Sequence, residues 1–135
     1  MSISVPFQYP AAEAGLTEQL VRNVVILFYE KVRRHPVLGP LFAEAIGADW
    51  DAHVERITLF WLHATRLRRG YDGKNFMPAH LRHQSIQVDL IPRWLALFRK
   101  TVAEQCSPRG ASVLVDIAER MAETLELGLA RRDRR

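Results

Sequence analysis

Residues 17–32, TEQLVRNVVILFYEKV, decide the fold class because their apolar side chains recur at intervals of three and four. That spacing is typical of an amphipathic α-helix. Thr17 can cap the helix and Glu18 suits its first turn, while the helix must end before Pro36, since the residue preceding a proline avoids helical dihedral angles. The apolar positions are Leu20, Val21, Val24, Val25, Phe28 and Val32.

Three further segments repeat this period, which predicts an all-α fold with four main helices. The second helix follows Asp49 and ends at Gly70, and the third starts near Asp89. The fourth starts with Ser107 as its cap and Pro108 at its first position. The stripe of the second helix is Trp50, Val54, Ile57, Phe60, Trp61 and Ala64, and that of the third is Leu90, Ile91, Trp94, Leu97, Phe98 and Val102.

Two segments lack a sustained pattern. Residues 35–42, HPVLGPLF, are broken by proline and glycine, so we expect no more than one or two tight helical turns there. Residues 71–88 read as an irregular connection, and loops of about 15 residues or more inside a compact domain are usually functional or disordered. This connection contains MPAHLRH, residues 77–83, in which His80 and His83 would share one face of a helix and could bind a metal, or lie in a polar surface turn.

Length and composition indicate one globular domain. The chain has 135 residues, 48% of them hydrophobic, and we divide it into a flexible N-terminal arm (1–15), a helical domain (16–131) and a basic C-terminal tail (132–135). No apolar run approaches the roughly 20 residues of a membrane span. The start does not resemble a secretory signal, and a single Cys106 allows no internal disulfide, so we expect a cytoplasmic protein that does not associate with membranes.

The net charge of +4 is partly local. Arg66, Arg68 and Arg69 form one cluster, and the tail RRDRR (131–135) forms another. Such clusters predict an alternative function, a helical module that binds nucleic acid or an anionic membrane surface. Solvated helix ends are the favoured explanation, because no aromatic residues interleave with the arginines as single-strand binding would require. We therefore expect no specific nucleic-acid partner.

Polar tips lie beside or on the apolar stripes of three helices. Tyr29 neighbours the stripe of the first helix, His53 lies on that of the second, and Trp94 lies on that of the third. Each needs a hydrogen-bond partner if it is buried. Each alone could bond to a backbone carbonyl, but the three together favour a buried ligand that accepts hydrogen bonds.

Five stretches of the chain resemble the truncated hemoglobins, specifically group III, in order and at nearly that family's spacings over roughly residues 18–130. They are FYEKVRRHPVLGPLF (28–42), WDAHVERITLFW (50–61), YDG (71–73), MPAH (77–80) and RWLALF (93–98). The resemblance implies a two-on-two helical globin that holds heme b between the helix with His53 and a loop or short helix with the proximal histidine.

The resemblance also assigns roles to individual residues. It implies that His80 is the proximal iron ligand, with the spacing Met77-x-x-His80 kept. Tyr29, His53 and Trp94 fall on the distal side, where Tyr29 and Trp94 would stabilise the partial negative charge of bound dioxygen and His53 could itself bind the iron. Phe60 and Trp61 match an aromatic pair near the heme, and Arg56 could pair with a propionate or be solvated.

The predicted function is reversible binding of dioxygen, nitric oxide or carbon monoxide at the heme iron. Detoxification of nitric oxide or dioxygen, or a dioxygenase- or peroxidase-like redox activity with a reductase partner, is compatible with such a site. A zinc site on His80 and His83 is a third alternative, but no third ligand with suitable spacing is evident. We expect a monomer or a weak dimer.

Overall fold

A computed structural model describes residues 11–68 and 87–134 of the chain. Within these ranges there are five helices and no strand, so the all-α prediction is confirmed. The helices are α1 (Glu18–Arg34), α2 (Leu38–Ile46), α3 (Trp50–Ala64), α4 (Leu90–Gln105) and α5 (Pro108–Asp133). Gly70, Met77, His80 and His83, and nearly all of the predicted connection 71–88, lie outside the described residues.

The long helices form two packed pairs. Helix α1 packs against α3, α4 packs against α5, and α1 also packs against α4, which joins the pairs. The predicted stripe of α1 lies at the centre, and Val21, Val24, Val25, Phe28 and Val32 are all buried. The arrangement is the two-on-two sandwich expected from the sequence.

Hydroxyl side chains cap two of the helices as predicted. The backbone N–H of Leu20 donates to Oγ1 of Thr17 at 3.1 Å, and the N–H of Gly110 donates to Oγ of Ser107 at 3.2 Å. Asp49 precedes α3 but makes no side-chain cap hydrogen bond. The first turn of α3 therefore lacks a stabilising contact that α1 and α5 have.

The chain before α1 packs against the helices. Residues 11–15 form turns, with Ala11, Ala14 and Leu16 buried in the main core. The Ser107 hydroxyl also donates to the carbonyl of Ala14 at 3.3 Å, which ties this segment to the start of α5. The part of the predicted arm that the structure describes thus belongs to the packed domain.

Helix α2 is longer than the one or two turns predicted for residues 35–42. The ring Nδ1 of His35 accepts hydrogen bonds from the N–H groups of Val37 and Leu38 at 3.1 and 3.0 Å, and so caps the helix. Pro40 falls in the first turn, where no intrahelical N–H is needed. Gly39 allows close contact with α1, because an added Cβ would lie 2.5 Å from the carbonyl oxygen of Arg33.

Helix α3 ends at Ala64, before the predicted end at Gly70. Arg66 has a φ of 63°, in the left-handed region. The N–H of Arg66 bonds to the carbonyl of His63 at 3.0 Å, and the N–H of Leu67 bonds to that of Leu62 at 2.9 Å. This pair of bonds is the Schellman motif, with an arginine where glycine is usual.

Because a left-handed residue with a Cβ is strained, Arg66→Gly should stabilise the protein by about 0.5–1 kcal/mol, after the entropic cost of glycine is deducted. Urea denaturation would measure the free energy of unfolding. Arg66→Ala is the control, since it removes the same charge but keeps the Cβ, and it should give no such gain. Equal stability of the two variants would contradict the assignment of strain to this position.

Candidate functional site

Tyr29 lies at the centre of a group of aromatic residues from three helices. Its side chain is only 5% exposed. Its ring centroid lies 5.7 Å from that of His53, at an interplanar angle of 79°, and 6.1 Å from those of Phe42 and Trp50. Tyr29 belongs to α1, Phe42 to α2, and Trp50 and His53 to α3, so the fold gathers these rings from distant parts of the sequence.

The indole of Trp94, on α4, lies close enough to the Tyr29 phenol to lower its pKa as a hydrogen-bond partner. An indole N–H can only donate, so the phenolic oxygen of Tyr29 is the acceptor. Burial raises the pKa of Tyr29 far above its usual value, and the hydrogen bond from Trp94 lowers it by less. The phenol therefore stays protonated and can donate its own O–H to another group.

A stack of three rings lies beside this cluster. Phe98 stacks on Trp94 at a centroid distance of 5.5 Å and on Trp61 at 5.1 Å, with interplanar angles of 2° and 13°. Phe28 meets both Trp94 and Phe98 edge to face. Trp61 also contacts Phe60 at 5.5 Å. These contacts hold Trp94 in one orientation and so orient its hydrogen bond to Tyr29.

Burial differs around the circumference of α3. Thr58, Trp61 and Leu62 are buried in the core. The other members of its predicted apolar stripe are only half-buried: Trp50, Val54, Ile57, Phe60 and Ala64. Helix α4 likewise has the half-buried apolar residues Leu90, Trp94 and Leu97. The two helices therefore retain exposed apolar area next to the polar tips of His53 and Trp94.

The structure brings together most of the site residues expected from the sequence. Tyr29 contacts both His53 and Trp94, and Phe60 and Trp61 pack against each other. Arg56 is exposed on α3. Met77 and His80 lie outside the described residues, and within those residues no group of three potential ligands from His, Cys, Asp and Glu could hold a metal ion.

Three aromatic residues of the site were not predicted as site residues: Phe42, Trp50 and Phe98. Phe98 follows Trp94 by one helical turn, so its spacing could have indicated the stack. Trp50 precedes His53 by three residues, and the same rule places them on one face of α3. The contact of Phe42 with Tyr29 has no local signal, because it depends on how α2 packs against α1.

The arginine clusters are partly engaged within the fold. Arg68 pairs with Glu18 at 2.6 Å, and Arg66 forms the left-handed end of α3. Arg132 pairs with Asp133 at 2.8 Å and its side chain is 13% exposed. Arg69 and Arg135 lie outside the described residues. No helix in the described ranges has the length and apolar composition to cross a membrane.

The chain is similar in sequence and in structure to a known protein. No family model matches the chain. The group 3 truncated hemoglobin of Campylobacter jejuni is 26% identical over 110 residues, which cover 79% of this chain and 86% of that protein. The crystal structure of the group III truncated hemoglobin from Campylobacter jejuni superposes with a TM-score of 0.78 and covers 84% of this chain and 91% of that chain.

The fold is that of a group III truncated hemoglobin. This confirms the resemblance that the five sequence stretches indicated, and with it the truncated-globin fold class. The match covers nearly the whole length of the solved truncated hemoglobin, so the likeness concerns the entire globin domain rather than one helical hairpin.

Proposed function

We propose that this protein is a heme-binding truncated hemoglobin whose Tyr29 donates a hydrogen bond to a diatomic gas bound at the heme. The observation that carries the proposal is the buried Tyr29 phenol, which contacts His53 and accepts a hydrogen bond from Trp94. The hemoglobins to which the chain is similar support a heme cofactor, and we take it to be heme b.

The Trp94 indole and the Tyr29 phenol have defined donor and acceptor roles. Because the Tyr29 oxygen accepts from Trp94, its own O–H points away from the indole. A phenol is protonated at neutral pH, and burial raises the pKa of Tyr29 further, so its O–H is available as a donor. Trp94 therefore acts by orienting Tyr29, and His53 supplies an imidazole beside the same phenol. Such a site suits a small ligand with partial negative charge better than an apolar one.

The residues present fit a heme group. Heme is flat and largely apolar, and the half-buried apolar side chains of α3 and α4 retain area that it would cover. Heme iron held by a single histidine of the chain would be able to bind a diatomic ligand. We assign the axial role to His80, heme contacts to Phe60, Trp61 and Met77, and a propionate contact to Arg56. His53 is assigned to the distal side, where its imidazole could also bind the iron.

The ligand is proposed to be dioxygen, nitric oxide or carbon monoxide, bound reversibly. Redox turnover that consumes nitric oxide or dioxygen would need electrons from a reductase. The alternative of a nucleic-acid or membrane module is less favoured, because Arg68 is paired with Glu18 and Arg66 shapes a helix end. A zinc site at His80 and His83 is also less favoured, because the sequence offers no third ligand with suitable spacing.

Titration of the purified protein with hemin tests the proposal. We expect uptake of one heme per chain with a strong Soret band, and a higher melting temperature for the loaded protein. A ligand that binds only the native state stabilises it by roughly 2.7 kcal/mol at 100 times its dissociation constant. Zinc at equal concentration is the control and should stabilise little. Equal melting temperatures with and without heme would overturn the proposal.

A further inference from the structure

Trp50 contacts both Tyr29 and a residue at the protein surface. It is half-buried at the first position of α3, and its ring centroid lies 6.1 Å from that of Tyr29. The guanidinium carbon of Arg33 lies 4.6 Å from the centroid of the Trp50 ring, which is the geometry of a cation–π contact. Arg33 is exposed in the last turn of α1.

Trp50 lies in the first turn of α3, which has no side-chain cap. Residues 47–49, between α2 and α3, are exposed, and Gly47 has a φ of 66°. Asp49 makes no side-chain cap hydrogen bond, so the first turn of α3 lacks the contact that Thr17 supplies to α1. The contact with Arg33 joins the end of α1 to this uncapped first turn of α3.

The rings that contact the buried phenol differ in their own exposure. Phe28, which meets Tyr29 edge to face, is itself buried. The half-buried members of the shell are Phe42, Trp50 and His53. Trp50 contacts the exposed cation of Arg33, which can be changed without altering Tyr29 or His53.

We propose that the Trp50 side chain controls access of small uncharged gases to the Tyr29 side of the site, and that Arg33 holds it closed. This inference rests on the proposed function, since it takes the Tyr29 side as the ligand side. Displacement of the indole together with the first turn of α3 would open a path to the phenol. The Arg33 guanidinium opposes that displacement through its contact with the ring.

Loss of the cation should favour the open state by roughly two- to fivefold, the size that a cation–π contact at an exposed site contributes to an equilibrium. In stopped-flow measurements on the heme-loaded ferrous protein, Arg33→Met should therefore speed carbon monoxide association by that factor. Arg33→Lys keeps a cation and should stay near wild type. Arg34→Met is the matched control, because it removes the neighbouring exposed charge, and it should leave the rate unchanged.

A second readout needs no heme. The chain has three tryptophans, so protein labelled with 5-fluorotryptophan should give three fluorine resonances, and the one missing from Trp50→Phe belongs to Trp50. In the apoprotein, Arg33→Met should increase the solvent-isotope shift of this resonance in deuterium oxide, while Arg34→Met should not. The other two resonances serve as internal references for intact packing.

The two readouts separate the two proposals. If the protein takes up no heme, the proposed function fails, and the fluorine measurement still decides whether Arg33 restrains Trp50. If heme binds but Arg33→Met matches Arg34→Met both in carbon monoxide association and in the Trp50 resonance, the access role of Trp50 is overturned. Faster association together with a more exposed Trp50 resonance in Arg33→Met alone would support it.

Discussion

Tyr29→Phe is expected to release dioxygen roughly 10- to 100-fold faster than the wild-type protein, because losing a hydrogen bond to a partly charged group costs about 1.5–3 kcal/mol. Phenylalanine keeps the ring and its packing against Phe28, His53 and the other neighbours, so the change removes mainly the hydroxyl. Stopped-flow dissociation from the heme-loaded ferrous protein measures the effect.

Carbon monoxide and a second buried hydroxyl provide the controls. Bound carbon monoxide is much less polar than bound dioxygen, so its release from Tyr29→Phe should change far less. Thr101→Val removes a fully buried hydroxyl that donates to the carbonyl of Leu97 at 2.9 Å on its own helix, and it should leave dioxygen release unchanged. If dioxygen leaves Tyr29→Phe no faster than wild type, the phenol is a packing residue.

Trp94→Phe should act in the same direction, because the indole N–H donates to the Tyr29 oxygen and so fixes where the phenolic proton points. Its effect is exerted through Tyr29, so the double variant should release dioxygen no faster than Tyr29→Phe alone. Such non-additivity is expected for residues in one hydrogen-bond network. Additive effects would mean that Trp94 donates to the ligand independently.

The helices that could be predicted best are those specified by local chemistry. The stripe of α1 and the hydroxyl caps Thr17 and Ser107 follow from side-chain spacing and backbone needs within a few residues. The end of α3 was predicted at Gly70, because glycine is the usual residue at that position of a helix. The chain instead places Arg66 in the left-handed conformation, an exception that no residue-type preference predicts.

The length of α2 depends on tertiary contacts that the amino-acid sequence alone does not show. Gly39 and Pro40 read as helix breakers, yet the glycine fits against the backbone of Arg33 and the proline falls in the first turn. The cap comes from the ring of His35, which is not among the usual capping residues. In such a segment, tertiary packing overrides intrinsic propensity.

The sequence predicted several residues of the candidate site, but not which of their side chains contact each other. Residue type and stripe position indicated that Tyr29, His53 and Trp94 would converge, and the structure shows them in contact. The partner of the Trp94 indole could not be inferred, because it depends on how α4 crosses α1. The stack of Trp61, Phe98 and Trp94 could not be inferred either, because it joins α3 to α4.

The second large effect is expected on the opposite side of the heme, where His80→Ala should abolish or severely weaken stoichiometric heme uptake. The His80 imidazole would supply a direct bond to the iron, and without it the heme would be held mainly by apolar contacts and the proposed propionate contact of Arg56. Hemin titration followed at the Soret band measures both stoichiometry and affinity. His83→Ala is the matched control, since it removes a histidine three residues away and should leave uptake intact.

A further variant separates iron binding from a structural role of the same residue. His80→Gly should also lose the wild-type spectrum, but added free imidazole should restore it, because the small molecule can supply the missing ligand where the side chain has been removed. A residue needed only for folding would not be replaced in this way. If His83→Ala loses heme while His80→Ala keeps it, the proximal ligand is His83, and the register of the MPAHLRH stretch with the truncated hemoglobins must be shifted by three residues.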